Sequence, residues 1–449
     1  MTHAFLAAAC SALILTLVPP TAAAQRDAPS APSMPPRIGP AVFDSALAGI
    51  AAAIRESYVF PEKRAGIVER LERSHRAGRY RVEDPRVFAQ RVTEDLSAAS
   101  HDGHLYLLHD PDQYAAARGG GRAAAEPEEL EAYWRRLAIR EHHGLTEMRL
   151  LPGNLRYLKV GAFHWVRDET GAAYDAAMRF LGGADAAIID LRGNGGGSHG
   201  AVQYLVSNFL GGDTLEMTFL RGDGSSSQAR TLEHLPAGRL TGKPLYVLID
   251  GGTASAGEAF AYDVQQFKLG ELVGTRTAGG ANNNKLVPIA PSFMLSVSYG
   301  RPVHPVSDTN WEGTGVEPSV PAAPEQALEV AEALALSRLA RTPGATPQDL
   351  ADWAWARIGV EARRHPVSMS PAWLKARAGR YGEEVEVTFR DGALWLARKD
   401  RPTRRLSPLT RDGLLGVEGS SMLRVRFTAG ERLEMLRKDD PSPRRLERE

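Results

Sequence analysis

The stretch LYVLIDGGTASAGEAFAYDVQQF, residues 245–267, changes its periodicity halfway. Leu245 to Ile249 is a short, continuous apolar run, the composition of a strand buried on both faces. Asp250-Gly251-Gly252-Thr253 breaks the run. From Ser255 the apolar residues Ala259, Phe260 and Val264 recur at helical spacing, so a strand-to-helix turn is predicted at Ser255. A serine there has two readings. As an N-cap, with Glu258 three residues on, it forms the capping-box pattern Ser-x-x-Glu. As a nucleophile, its hydroxyl stands exposed on the turn and the N–H of Ala256 is aimed at a developing oxyanion.

Upstream, DLRGNGGGSHG (190–200) follows a second buried-strand run, Ala186 to Ile189. Gly193 and Gly195, Gly196 and Gly197 leave backbone N–H groups uncovered by side chains, so they suit either a second oxyanion wall or a turn that needs positive φ. Downstream lies GTRTAGG, residues 274–280. These three motifs, in this order, resemble the family that unites tail-specific (C-terminal processing) proteases, the tricorn protease core and interphotoreceptor retinoid-binding protein. The similarity runs over about residues 41–323, and three linked motifs are more specific than any one alone. It implies an α/β fold, the crotonase/ClpP-like spiral of ββα units, behind a helical N-terminal domain.

Composition sets the class. The chain has 449 residues, 43% of them apolar, ample for a large core and more than one domain. With 54 basic and 54 acidic residues, no charge excess points to nucleic acid or an anionic membrane as partner. Met1 to Ala24 holds no Lys, Arg, Asp or Glu, carries an apolar run from Ala4 to Val18 and ends in Ala22-Ala23-Ala24. This reads as a signal peptide cleaved after Ala24, so the expected location is periplasmic or secreted, with no membrane partner after cleavage. Its n-region departs from the usual pattern in lacking Lys and Arg. Cys10, the single cysteine, lies inside that segment, which removes thiol catalysis, thiolate metal sites and disulfides from the mature chain.

The expected organisation is a signal (1–24), a disordered proline-rich lead-in (25–40), a helical N-terminal domain (41–110) and a connector (111–150). A catalytic core (151–323), a helical linker (324–369) and a small antiparallel β domain (370–449) follow. In the first domain Phe43, Leu47, Ile50 and Ile54 share one helical face, as do Val87, Phe88, Val92 and Leu96. The connector reads as a Gly/Ala-rich loop plus one helix from Pro127 to His142. Its span of about 40 residues is too short for the peptide-gripping PDZ domain that many tail-specific proteases insert at this point. In the β domain, Val385, Val387 and Phe389, then Leu394 and Leu396 beyond Asp391-Gly392, give a hairpin signal, and Leu423 to Phe427 with Leu433 to Leu436 give a second.

A nucleophilic serine needs a base. In tail-specific proteases a lysine follows Thr-x-Gly, whereas Gly280 follows Thr277-Ala-Gly279 here, and Lys285 comes five residues later. The tricorn-like branch uses histidine plus glutamate. The resemblance places these at His104, in Asp102-Gly-His104, and at Glu312, in WEGTGVEP (311–318). Two departures attend that match: Gly103 stands where tricorn protease has a helper serine, and two residues instead of one separate Glu312 from Gly315-Val316.

The set implied is Ser255, His104 and Glu312, with Gly195, Gly196, Gly197 and Ala256 as the oxyanion hole. The expected activity is that of a serine-type endopeptidase acting on peptide or protein substrates, with no cofactor and no metal. Rival readings stay open: His199 as base, Glu258 as acid, a metal held by His101, His104 and His109, and His304 at the pocket wall. On the same fold, a non-catalytic binder of apolar small molecules is the alternative function.

Overall fold

The computed structural model describes residues 40–118, 127–428 and 432–449. The expected signal peptide, nearly all of the lead-in, the Gly119 to Arg122 stretch and the Ala429-Gly430 turn lie outside these residues. No helix among the described residues is long and apolar enough to cross a membrane.

The chain forms two compact units, both discontinuous in sequence. Of the described residues, the first comprises 40–118, 127–133, 217–229 and 279–314. Its helices Pro40–Ser57, Pro61–Arg76 and Pro85–Ser100 start at proline, whose fixed φ and missing N–H suit the first helical turn. Asp84 caps the third, accepting the N–H of Arg86 at 2.8 Å. His101 ends it in the left-handed region, φ 56°, and the chain turns into strand Tyr106–His109. That strand pairs antiparallel with Phe293–Val303, Leu107 opposite Leu295, and Asn283–Ile289 pairs with the same partner. Phe43 stacks on Phe88, which packs tilted against Phe293 of the sheet, with ring centroids 4.5 and 5.2 Å apart.

The second unit comprises 134–216, 230–278 and 315–449. Its six-stranded sheet runs in the order Val320–Pro321, Glu271–Gly274, Leu245–Ile249, Ala186–Asp190, Leu155–Val160, Leu145–Leu151. All neighbours are parallel except the last pair. Every residue of Ala186–Asp190 and Leu245–Ile249 is buried, as the apolar runs require. Helices Ala327–Leu339 and Pro347–Arg364 cover one side of this sheet through Leu336, Trp353 and Val360. The mixed α/β architecture, the helical N-terminal region and the C-terminal antiparallel sheet are as expected.

The C-terminal sheet is larger than the four strands legible in the sequence. Eight strands follow one another as neighbours from Gly379–Tyr381 to Asp440–Leu446. The first then meets the end of the chain: Gly382 N–H donates to Glu447 O at 3.1 Å and Glu449 N–H to Arg380 O at 3.0 Å. These bonds, beyond the last strand, bring the two ends of the sheet together as an up-and-down barrel. Its interior is filled by Val387, Leu394, Leu396, Leu415, Val425 and Leu433. Arg424 fastens it to the preceding helix, donating to Trp355 O at 2.6 Å with its guanidinium 3.9 Å from the Trp355 ring centroid.

Candidate active site

The strand Leu245–Ile249 ends at a turn stitched to the glycine-rich segment. Asp250 Oδ1 accepts the N–H groups of Gly252 and Gly193, both at 2.9 Å. Thr253 Oγ1 donates to Leu191 O at 2.8 Å, and Ala254 N–H donates to Asn194 O at 2.9 Å. Helix Ala256–Gln266 begins directly after Ser255, whose backbone sits at φ 51°, ψ −119°. A side-chain-bearing residue rarely adopts positive φ, and holding one there costs about 1–3 kcal/mol. Ser255 is nevertheless exposed, while Ala254 and Ala256 on either side are buried.

Glu258 lies under this turn with no exposure. Its Oε2 accepts the Ser255 N–H at 2.9 Å, the carboxylate half of the expected capping box, and its Oε1 accepts the Thr277 hydroxyl at 2.6 Å. Thr277 belongs to the third motif, so the GTRTAGG segment buttresses the turn through this glutamate.

The glycines are required sterically. A Cβ on Gly196 would fall 2.8 Å from the Ser255 Cβ and 2.9 Å from Ala254 O. Gly197 has φ +135°, and a Cβ there would meet Phe163 O at 2.2 Å. Asn194, fully buried, donates to Val160 O and accepts the Gly196 N–H, each at 2.8 Å. The Gly196 N–H, expected among the oxyanion donors, is taken up by Asn194 Oδ1 in this structure. Gly196 matters for its missing side chain.

His199, the rival base, starts helix His199–Ser207 with its Nε2 3.1 Å from Glu216 Oε2. Glu216 and Asp263 are both fully buried, and burial, with the neighbouring Glu216, pushes the Asp263 carboxyl well above the usual range. His199 is thus accounted for by a buried acid pair, a partnership without a local sequence signal. Nearby, Asp190 is buried and paired to Arg192 through two nitrogens at 2.9 and 2.6 Å, with Tyr157 donating at 2.7 Å. Burial opposes its ionisation, but these donors hold its carboxyl below the ordinary range.

In the first unit, the His101–His104 turn is organised by two acids. Asp102, almost fully buried, accepts the His104 N–H at 2.8 Å and the Asn282 amide at 3.2 Å. Glu312 Oε2 accepts the N–H groups of Ala281 at 2.6 Å and Asn282 at 2.7 Å, and Oε1 accepts that of Gly103 at 3.2 Å. His104 Nδ1 lies 3.6 Å from Glu312 Oε2. Burial raises the Glu312 carboxyl's pKa, but His104 and the Asn282 and Ala281 amides outweigh it and hold the carboxyl below its usual value. Burial and the charge of Glu312 push Asp102 the other way. The pKa values of the two carboxyls are therefore pushed apart, Glu312 down and Asp102 up.

The three-histidine cluster does not form. His101 is an exposed helix terminus and His109 packs its ring against Phe293 at 5.4 Å. Among the described residues, the potential ligand atoms that converge are those of Asp102, His104 and Glu312, all within 4.8 Å. The acids there already accept four N–H groups and an amide, which makes them a frame for the imidazole. His304 is fully buried and accepts the Val306 N–H on Nδ1 at 3.1 Å. Lys285 is exposed on strand Asn283–Ile289.

With this geometry in view, relatives can be compared. A carboxy-terminal-processing protease of Bartonella bacilliformis is 31% identical over 78 residues, 17% of this chain and 18% of the relative. The chain therefore spans less than a fifth of the length of the curated relative it matches. Three solved structures share low identity. The photosystem II D1 C-terminal processing protease is 17% identical over 63% of this chain and 94% of its own, with a TM-score of 0.42. Mature CPAF is 13% identical over 68% and 99%, with a TM-score of 0.45. Tricorn protease is 14% identical over 66% and 37%, with a TM-score of 0.41. The model of peptidase family S41 matches residues 154–322, a span that contains the glycine segment, the Ser255 turn, Thr277 and Glu312. Over that span, the chain is similar to peptidase family S41.

Proposed function

We propose that the protein is an exported serine-type endopeptidase working through an acyl-enzyme, with Ser255 as nucleophile, His104 as base and Glu312 as the orienting acid. The observation that carries this reading is the Ser255 backbone, an exposed hydroxyl on a strained turn at the start of a helix, φ 51° and ψ −119°. A cap alone needs no such strain, since N-caps ordinarily take extended backbone.

In the proposed reaction the Ser255 hydroxyl oxygen attacks the scissile carbonyl carbon while His104 Nε2 takes its proton. His104 then returns the proton to the departing amine as the C–N bond breaks. Water, deprotonated by the same imidazole, attacks the acyl carbon and frees Ser255. Glu312, its Oε2 3.6 Å from Nδ1, supplies the negative charge that faces the imidazolium formed on His104. The Ala256 N–H, with those of Gly195 and Gly197, receives the oxyanion, helped by the positive end of helix Ala256–Gln266. Peptides or proteins are the substrates this chemistry fits.

Labelling the purified protein with a fluorophosphonate and mapping the adduct by mass spectrometry tests the reading. Modification is expected at Ser255 and absent from Ser255→Ala. Equal labelling of that variant refutes the nucleophile, and an unlabelled, inactive wild type returns the chain to the alternative of an apolar-ligand carrier. Export is tested separately by sequencing the N-terminus of the protein made in cells, expected to begin at Gln25.

A further inference from the structure

The C-terminal barrel is apolar inside along most of its length and cationic at one end. Arg398 continues the interior series Leu394, Leu396 along its strand, and Arg437 continues Leu433, Met435 along another. Arg401 is the cross-strand partner of Arg398, and Arg444 that of Met435. These four arginines line a cavity of about 380 Å³ whose apolar lining includes Leu423 and Met435. The acid on that lining is Asp440, and Asp439 and Glu384 sit on two of the arginines, so four arginines against three carboxylates leave a net excess of one positive charge at the mouth.

Two of the arginines are already engaged. Arg437 grips Asp439 through two nitrogens at 2.9 and 2.7 Å, and Arg444 lies 3.3 Å from Glu384. Arg398 and Arg401 have no acidic partner among the described residues, although like charges facing each other across a strand pair are destabilising. Burial and the neighbouring Arg401 and Arg437 weaken the hold of Arg398 on its proton. An anion in the cavity relieves both effects, and guanidinium forks match a carboxylate bidentately. Closed eight-stranded barrels hold small ligands at this position.

We propose that this end of the barrel binds a carboxylate carried on a short apolar chain, the carboxylate on Arg398 and Arg401 and the chain on Leu423 and Met435. The site does not depend on the peptidase reading. A fatty acid and the C-terminal residue of a peptide offer the same chemistry, and the test separates them. Isothermal titration of the full chain uses decanoate, decanol, and an acetylated pentapeptide ending in leucine as free acid and as amide.

The expected result is that decanoate or the free-acid peptide binds at least about tenfold tighter than its uncharged counterpart, as one charge-assisted hydrogen bond supplies. The tighter of the two identifies the source. Arg401→Gln, at an exposed position, is expected to weaken that binding at least about tenfold with a melting temperature that does not fall, since one of two facing like charges is removed. Adding Arg398→Gln should abolish it, while the variant keeps a cooperative thermal unfolding transition. Equal binding of charged and uncharged probes, full affinity in Arg401→Gln, or no binding of any of the four overturns the proposal.

Discussion

Glu258 and Glu312 are the same side chain, both withdrawn from solvent, but the turn at Ser255 and the loop at His104 hold them by different groups. Glu258 takes the backbone N–H of Ser255 at its own helix start and the hydroxyl of Thr277. Glu312 takes three backbone N–H groups from the 103 and 281–282 segments and has an imidazole nitrogen at 3.6 Å. The first carboxylate completes a helix end. The second is over-supplied with donors, so its charge is fixed in place beside a histidine. What distinguishes a structural acid from an orienting one is therefore the identity of its partners, since burial alone does not separate them.

The largest effect belongs to the turn itself. Ser255→Ala is expected to lower peptide hydrolysis by at least ~10⁴-fold. Ser255→Gly should be equally inactive and yet more stable by about 1 kcal/mol, because glycine adopts the positive φ without strain. Denaturant unfolding beside a peptidase assay reads both. A Gly variant less stable than wild type would remove the strain from the comparison.

Next comes Glu312→Gln, for which a loss of about 10²–10⁴ in turnover is expected from the lost orienting charge. The three N–H donors add a stability cost of about 1–3 kcal/mol, since the amide must turn an NH₂ toward one of them. That cost depends on pH in a defined direction. The folded Glu312 carboxyl is held below its usual value, so its ionised form contributes stability above a pH of about 4.3 and loses that contribution as pH falls through the lower folded value. Wild type and variant should thus differ most at neutral pH and converge in acid, as thermal unfolding across pH reports. A gap that widens in acid would reverse the assignment.

Gly196→Ala puts a methyl 2.8 Å from the Ser255 Cβ. About 1–3 kcal/mol of destabilisation is expected, with a fall in turnover and little change in KM. Unchanged kinetics would mean the turn tolerates displacement. The smallest catalytic effect is expected for Glu258→Gln, with a cost of about 0.5–2 kcal/mol in stability and activity lowered less than in Glu312→Gln. A stable, inactive Glu258→Gln beside an active Glu312→Gln would exchange the two roles.

Much of this was legible in the chain because it is written locally. The runs at 186–189 and 245–249, the capping pattern at Ser255 and the helix from Pro127, which ends at Arg140, depend on neighbours in sequence. Strand Leu145–Leu151 was not legible: it is an edge strand with five exposed residues between two buried ends, so it carries no alternation. Half of the barrel was hidden for the same reason, as in Arg401–Pro408, where one residue in eight is buried. The glycine segment showed its flexibility, but that Gly196 spends its N–H on Asn194 depends on how the turn folds. Partnerships such as His199 with Glu216 and Asp263 have no local signature, because buried charges find one another only after the sheet and helices pack.

The pairing of Leu107 with Leu295 has a consequence in time. At synthesis rates of about 5–20 residues per second, roughly ten to forty seconds separate the emergence of these two strands from the ribosome. Through that interval Phe43, Phe88 and Leu107 exist without the strand that carries Phe293, Leu295 and Val297, and the apolar faces of three finished helices stay open. The N-terminal third of the molecule is made first and completed late, so a newborn chain must be sheltered from its neighbours until residue 303 has been added.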